Sequence, residues 1–78
     1  MHYDVWDYES RNQLGSFASK AEALAFVREL LAANPPGYAD LLSLGYEDDR
    51  GEGAVIAEGQ ALAQLVAESR AQPRRRSA

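Results

Sequence analysis

The sequence predicts a two-layer α+β fold, a ββαββα chain whose four-stranded, mainly antiparallel sheet carries both helices on one face. Three observations lead there. Residues 2–9, HYDVWDYE, alternate and are rich in aromatic and β-branched side chains, the pattern of a strand. Residues 19–34, SKAEALAFVRELLAAN, repeat apolar side chains at helical spacing. Residues 39–70 then pass through extended, turn and helical patterns in the same order. A helix with one apolar stripe has one surface to bury, and a sheet supplies it.

The first strand places Tyr3, Val5 and Asp7 on one side and Asp4, Trp6 and Tyr8 on the other. Parity alone does not say which side the helices cover. Ser10-Arg11-Asn12 reads as a turn, and Gln13 to Ala18 as a second strand in which Gly15 marks a bulge or a close approach. The helix begins at Ser19, three residues before Glu22, the spacing of a capping box, with Phe17 ahead of it as the apolar residue of a staple. Ala23, Leu24, Phe26, Val27, Leu30 and Leu31 share one face; Glu22, Ala25, Glu29 and Ala32 share the other. Asn34-Pro35-Pro36-Gly37 stops it, because proline lacks the N–H and clashes with the preceding turn.

Ala39 to Glu47 reads as a third strand, Leu42, Leu44 and Tyr46 alternating with Leu41, Ser43 and Gly45. Residues 48–53 form a polar, glycine-bearing turn, Ala54 to Ala57 a short fourth strand, and Gln60 to Arg70 a second helix with Leu62, Leu65, Val66 and Ser69 together. Residues 1–72 make a single domain and 73–78 a flexible basic tail. An offset of 38 aligns Tyr8 with Tyr46, Glu9 with Glu47, Gly15 with Gly53 and Ala23-Leu24-Ala25 with Ala61-Leu62-Ala63, which is suggestive of a ββα pseudo-repeat of 1–37 and 38–72.

Composition excludes several functions. The chain has no cysteine, so disulfides and thiolate metal sites are out. No run approaches the roughly 18 apolar residues of a membrane span, and the N-terminus lacks the basic start and apolar run of a secretion signal. A cytoplasmic protein is expected, and the abundance of Ala, Arg and Gly suits a GC-rich bacterial genome. Residues 1–72 hold 5 basic and 12 acidic side chains, a balance of −7, and Arg74, Arg75 and Arg76 bring the total to −4. The acidic body repels phosphate backbones, while the tail offers a few salt-sensitive contacts to nucleic acid.

Catalytic parts are scarce. His2 is the single histidine and adjoins a terminus, where an exposed residue without function is expected. With no cysteine and one histidine, nucleophile–base pairs lack components. No phosphate-binding loop, nucleophile elbow or dinucleotide fingerprint occurs. Glu47, Asp48, Asp49 and Glu52 read as a solvated turn, with a weak divalent-cation site the alternative. Asp4, Asp7 and Glu9 read as acids that blunt an edge strand, with a paired-carboxylate site the alternative. Tyr3, Trp6, Tyr8 and Phe17 divide between core and interface; their acidic neighbours have the wrong sign for stacking nucleic-acid bases.

Two resemblances bear on this reading. Tyr3-Asp4-Val5-Trp6, Leu14-Gly15-Ser16-Phe17, Glu22-Ala23-Leu24 and Leu44-Gly45 before an acidic glycine turn together resemble small uncharacterised bacterial proteins of ββαββ type, a domain of unknown function. That likeness spans residues 3–58 and implies a fold without an activity. Ser19-x-x-Glu22-Ala23-Leu24 after a hairpin is also similar to HicB-like antitoxins, whose ββαββ domain holds a toxin that is usually basic. The glycine-rich hairpin, the proline-containing segment and the DNA-binding extension of that family are missing here.

The expectation is therefore a small non-enzymatic protein-interaction or regulatory module, with a protein partner or a second copy bound and no cofactor or metal. The alternatives are an antitoxin-like protein and a nucleic-acid-associated protein using Arg74, Arg75 and Arg76. The interaction candidates are Tyr3, Trp6, Tyr8 and Tyr46, to be sorted by which face of the sheet is left uncovered.

Overall fold

A computed structural model describes the backbone of residues 1–71 and the side chains of residues 1–69. The chain runs β1 (His2–Asp7), β2 (Asn12–Phe17), α1 (Lys20–Ala33), a 3-10 turn (Tyr38–Leu41), β3 (Leu42–Glu47), β4 (Gly53–Glu58) and α2 (Gly59–Ala71). The strands form one antiparallel sheet in the order β2-β1-β3-β4. The ββαββα plan with a helical layer on the sheet is the one the patterning predicts.

Local chemistry places most boundaries. Asp7 Oδ1 accepts the amides of Glu9 and Ser10 at 2.8 and 3.2 Å, and Arg11 N–H donates to the Asp7 carbonyl. That Asx-type turn ends β1 at Asp7, so Tyr8 and Glu9 leave the strand that their alternation suggested. Ser19 caps α1, its hydroxyl accepting Glu22 N–H at 3.1 Å, and Asn34 closes it by donating its side-chain amide to the Leu30 carbonyl at 2.7 Å. Phe17 packs against Phe26, ring centroids 5.0 Å apart, which is a turn further along than a staple reaches. Residues 38–41 tighten into the 3-10 turn instead of starting β3, after Gly37 turns the chain with φ of 94°.

Register settles the parity question. Tyr3, Val5 and Asp7 pair with Tyr46, Leu44 and Leu42, and this is the side the helices cover. Val5, Leu42 and Leu44 are fully buried there, with Ala23 and Val27 of α1 and Leu62 of α2. Leu24 and Val66 complete the core, and Tyr3, Phe26, Leu30, Leu31, Ile56 and Leu65 pack around it.

Each edge strand carries one irregularity. β2 slips against β1 between Val5 and Trp6, and β4 slips against β3 between Leu44 and Gly45. The extra residues are Leu14 and Ile56, both half-buried and both packed against the core. A bulge at each edge thus turns an additional apolar side chain inward. The Gly15 expectation is met beside the first: a Cβ there would sit 2.8 Å from the Phe17 ring.

The two halves carry strand, strand and helix in the same order, but at no single offset. β3 begins at 42 against 2 for β1, a step of 40, while α2 begins at 59 against 20 for α1, a step of 39. Tyr8 lies in a turn and Tyr46 in β3.

Candidate functional site

The sheet face away from the helices is laid out by the same register. Reading across β2, β1, β3 and β4, one row is Gln13, Trp6, Ser43 and Glu58. The next is Ser16, Asp4, Gly45 and Val55, and a third joins His2, Glu47 and Gly53. Asp4, Glu47 and Glu58 put three carboxylates on this face, against His2 and, beside the turn, Arg11.

Large apolar side chains stand open here. Trp6 is 40% exposed, Tyr8 45% and Val55 56%. Together with Asp7, Arg11 and Ser43 they line a shallow cleft of about 450 Å³. Ser43 is buried beneath it although it faces outward, because its larger neighbours rise on both sides. Gly45 lies between Asp4 and Val55 with no side chain, and a Cβ there would come within 3.0 Å of the Ala54 carbonyl oxygen.

At the other end of the face His2 meets two carboxylates. Its Nε2 lies 3.2 Å from Asp4 Oδ2 and 3.1 Å from Glu47 Oε1. Asp4 and His2 are two apart on one strand, and Glu47 is the cross-strand partner of His2, so backbone pairing alone brings the three together. Asp4 Oδ1 is sealed from solvent, and among the described residues no donor reaches it. A buried carboxylate oxygen without a donor or a cation is costly.

The acidic loop does not converge. Asp48 Oδ1 accepts the amides of Arg50 and Glu52, both at 2.9 Å. Asp49 turns outward to the N-terminal ammonium group of Met1 at 2.7 Å, which holds its carboxyl below the usual carboxylate range. Glu47 is taken by His2. Asp48 thus serves the turn, while Asp49 and Glu47 are drawn apart to Met1 and His2.

Of the four aromatic candidates, the structure places Trp6 and Tyr8 on the open face and brings them into one cleft. Tyr3 and Tyr46 pair with each other across β1 and β3 on the helix side. Tyr3 packs against the core there, its hydroxyl 3.5 Å from Met1 Sδ. Arg74, Arg75 and Arg76 lie outside the described residues. The edge-strand reading of Asp4, Asp7 and Glu9 is corrected: β1 is interior, flanked by β2 and β3, so its acids protect no edge, and Glu9 lies in the turn beyond it. Asp7 caps a turn and Asp4 joins the histidine cluster. Val55 gives no sequence signal as a site residue, and the sequence sets Glu47 with the acidic loop and His2 at an exposed terminus, not with each other. The even parity of His2 and Asp4 was a visible signal, but the pairing that delivers Glu47 is non-local.

No protein-family model, curated protein or solved structure matches this chain. Among the described residues no helix is long and apolar enough to cross a membrane.

Proposed function

We propose that this chain is a non-enzymatic interaction module whose open sheet face holds a basic, partly apolar segment of another protein. The observation that carries the reading is the cleft of Trp6, Tyr8 and Val55 on a face whose other charged side chains are mainly Asp4, Glu47 and Glu58. Exposed aromatic residues grouped over a shallow concavity are the side chains that dominate protein interfaces. Arg and Lys stack on aromatic rings and pair with carboxylates, so a cationic segment satisfies both features at once. The −7 balance of residues 1–72 adds long-range attraction for such a partner. An antitoxin-like role, gripping a basic toxin, is the narrower form of the same proposal. Cytoplasmic location belongs with it.

The test is capture from nuclease-treated native lysate, followed by identification of the bound segment. Wild-type chain, Trp6→Ala, Val55→Ser and Glu58→Lys are compared, with circular dichroism as the check on folding. The proposal expects a partner with a basic contact segment that is lost with each open-face variant and kept by Arg28→Ala on α1. A partner that survives Trp6→Ala and Val55→Ser overturns it. So does a free chain that light scattering shows to be a dimer, if Val55→Ser makes it monomeric, because a second copy then occupies the face.

A further inference from the structure

We propose that His2, Asp4 and Glu47 form a binding site for a single first-row divalent cation of the Zn²⁺ or Mn²⁺ kind. One imidazole nitrogen and one carboxylate oxygen from each acid lie within 4.8 Å of one another. His2 Nε2 sits between the two acids, 3.1 Å from Glu47 Oε1 and 3.2 Å from Asp4 Oδ2. Bonds of about 2.1 Å in a tetrahedral shell space ligand atoms roughly 3.4 Å apart, close to the two His2 distances, and the two carboxylate oxygens, within 4.8 Å of each other, would draw together on the ion. The point they surround now holds at most the one hydrogen that Nε2 carries, shared between two anions. A dication there would satisfy all three groups.

A second observation is independent of that clustering. Asp4 Oδ1 is shut off from solvent and has no donor among the described residues, on a side chain that is 13% exposed. A neutral imidazole leaves the charge of that carboxylate uncompensated, whereas a dication held by both of its oxygens would balance it and supply Oδ1 with a partner. The donor set selects the ion. A nitrogen ligand with two carboxylates suits first-row divalent metals, whereas Ca²⁺ and Mg²⁺ prefer all-oxygen shells and Cu⁺ prefers sulfur. Three protein ligands leave at least one coordination position for water or an outside group. Glu47 on β3 and the β1 pair are locked by the His2–Glu47 register, so the site is built on rigid strands. The inference rests on the three donors and not on the cleft, although Asp4 shares a row with Val55 and both Asp4 and Glu47 belong to the acidic face of the docking proposal.

Calorimetric titration of the untagged, full-length chain with ZnCl₂, and of Mn²⁺ by electron paramagnetic resonance, tests it. The expected result is saturation at one ion per chain for at least one of the two metals. His2→Gln, Asp4→Asn and Glu47→Gln should each weaken it by roughly tenfold or more, at least the loss seen on removing outer-sphere partners of metal ligands. Asp49→Asn, an exposed acid nearby, should leave it unchanged. Glu47→Gln, at the end of β3, keeps the test open if Asp4→Asn fails to fold. Absence of saturable binding of both ions overturns the site, as does full-strength binding in His2→Gln or equal loss in Asp49→Asn.

Discussion

Two valines separate the faces of the sheet by a single chemical change. Val5 on β1 is fully buried under the helices, and Val55 on β4 is 56% exposed on the open face. Both are strand residues, so Val→Ala costs each a similar β-propensity. At Val5 the change removes two carbons from water-free surroundings, about 1.6 kcal/mol at ~0.8 kcal/mol per methylene. A residual cavity of about 40 Å³ at ~24 cal/mol per Å³ adds about 1 kcal/mol, for a total near ~2.5. At Val55 less than half of the side chain is covered and no cavity forms, so the cost is about 0.7 kcal/mol. A chain of 78 residues has roughly 4–12 kcal/mol of stability in all. Urea unfolding followed by far-ultraviolet circular dichroism reads the difference. With a slope of about 1 kcal/mol per molar, the midpoint should drop by about 2.5 M for Val5→Ala and by less than about 1 M for Val55→Ala. Equal shifts, or a larger one at Val55, would refute the assignment of the open face, and with it the docking surface.

Other consequences are local. Ser19→Ala removes the cap that accepts Glu22 N–H and should cost about 1 kcal/mol in the same urea assay. Gly53→Ala places a Cβ against the Tyr46 carbonyl oxygen, where the backbone itself must move; a loss of about 1–3 kcal/mol is expected, with faster amide exchange along β3 and β4. Asp49 has its carboxyl pKa lowered by the hydrogen bond from the Met1 ammonium and by its charge. A group depressed in the folded state contributes stability above its unfolded value, near ~3.9, and loses it as pH falls through the lower folded value. Because the pair is exposed and screened by solvent, the urea midpoint of wild type should exceed that of Asp49→Asn only slightly at pH 5 to 6, and the gap should close on acidification below pH 4.

The elements carried by local signals were readable in advance. Ser19, Glu22 and the Asn34-Pro35-Pro36-Gly37 stop bracket α1, and its apolar stripe is the one that meets the core. What escaped depends on contacts distant in sequence or on competing short-range hydrogen bonds. Alternation continues through Tyr8, but the Asp7 side chain captures the next two amides and ends the strand early. Leu14 and Ile56 are bulge residues only because β2 and β4 slip against fixed neighbours. Parity divided Tyr3 from Trp6 correctly yet could not say which faced out, since that depends on where the helices land. The sheet order β2-β1-β3-β4 made β1 central, which turned Asp4 from an edge guard into the buried partner of His2. His2 has only Asp4 as a partner near it in sequence; Glu47 reaches it through strand pairing.

The most direct measurement on the open face is the affinity of the captured partner for purified variants by isothermal titration calorimetry. Trp6→Ala should weaken binding at least tenfold, about 1.4 kcal/mol or more, and Glu58→Lys should lower it further at low salt than at high salt. Arg28→Ala, on the helix layer, should bind as wild type does. If Trp6→Ala keeps wild-type affinity while Arg28→Ala loses it, the helices and not the open sheet face make the contact.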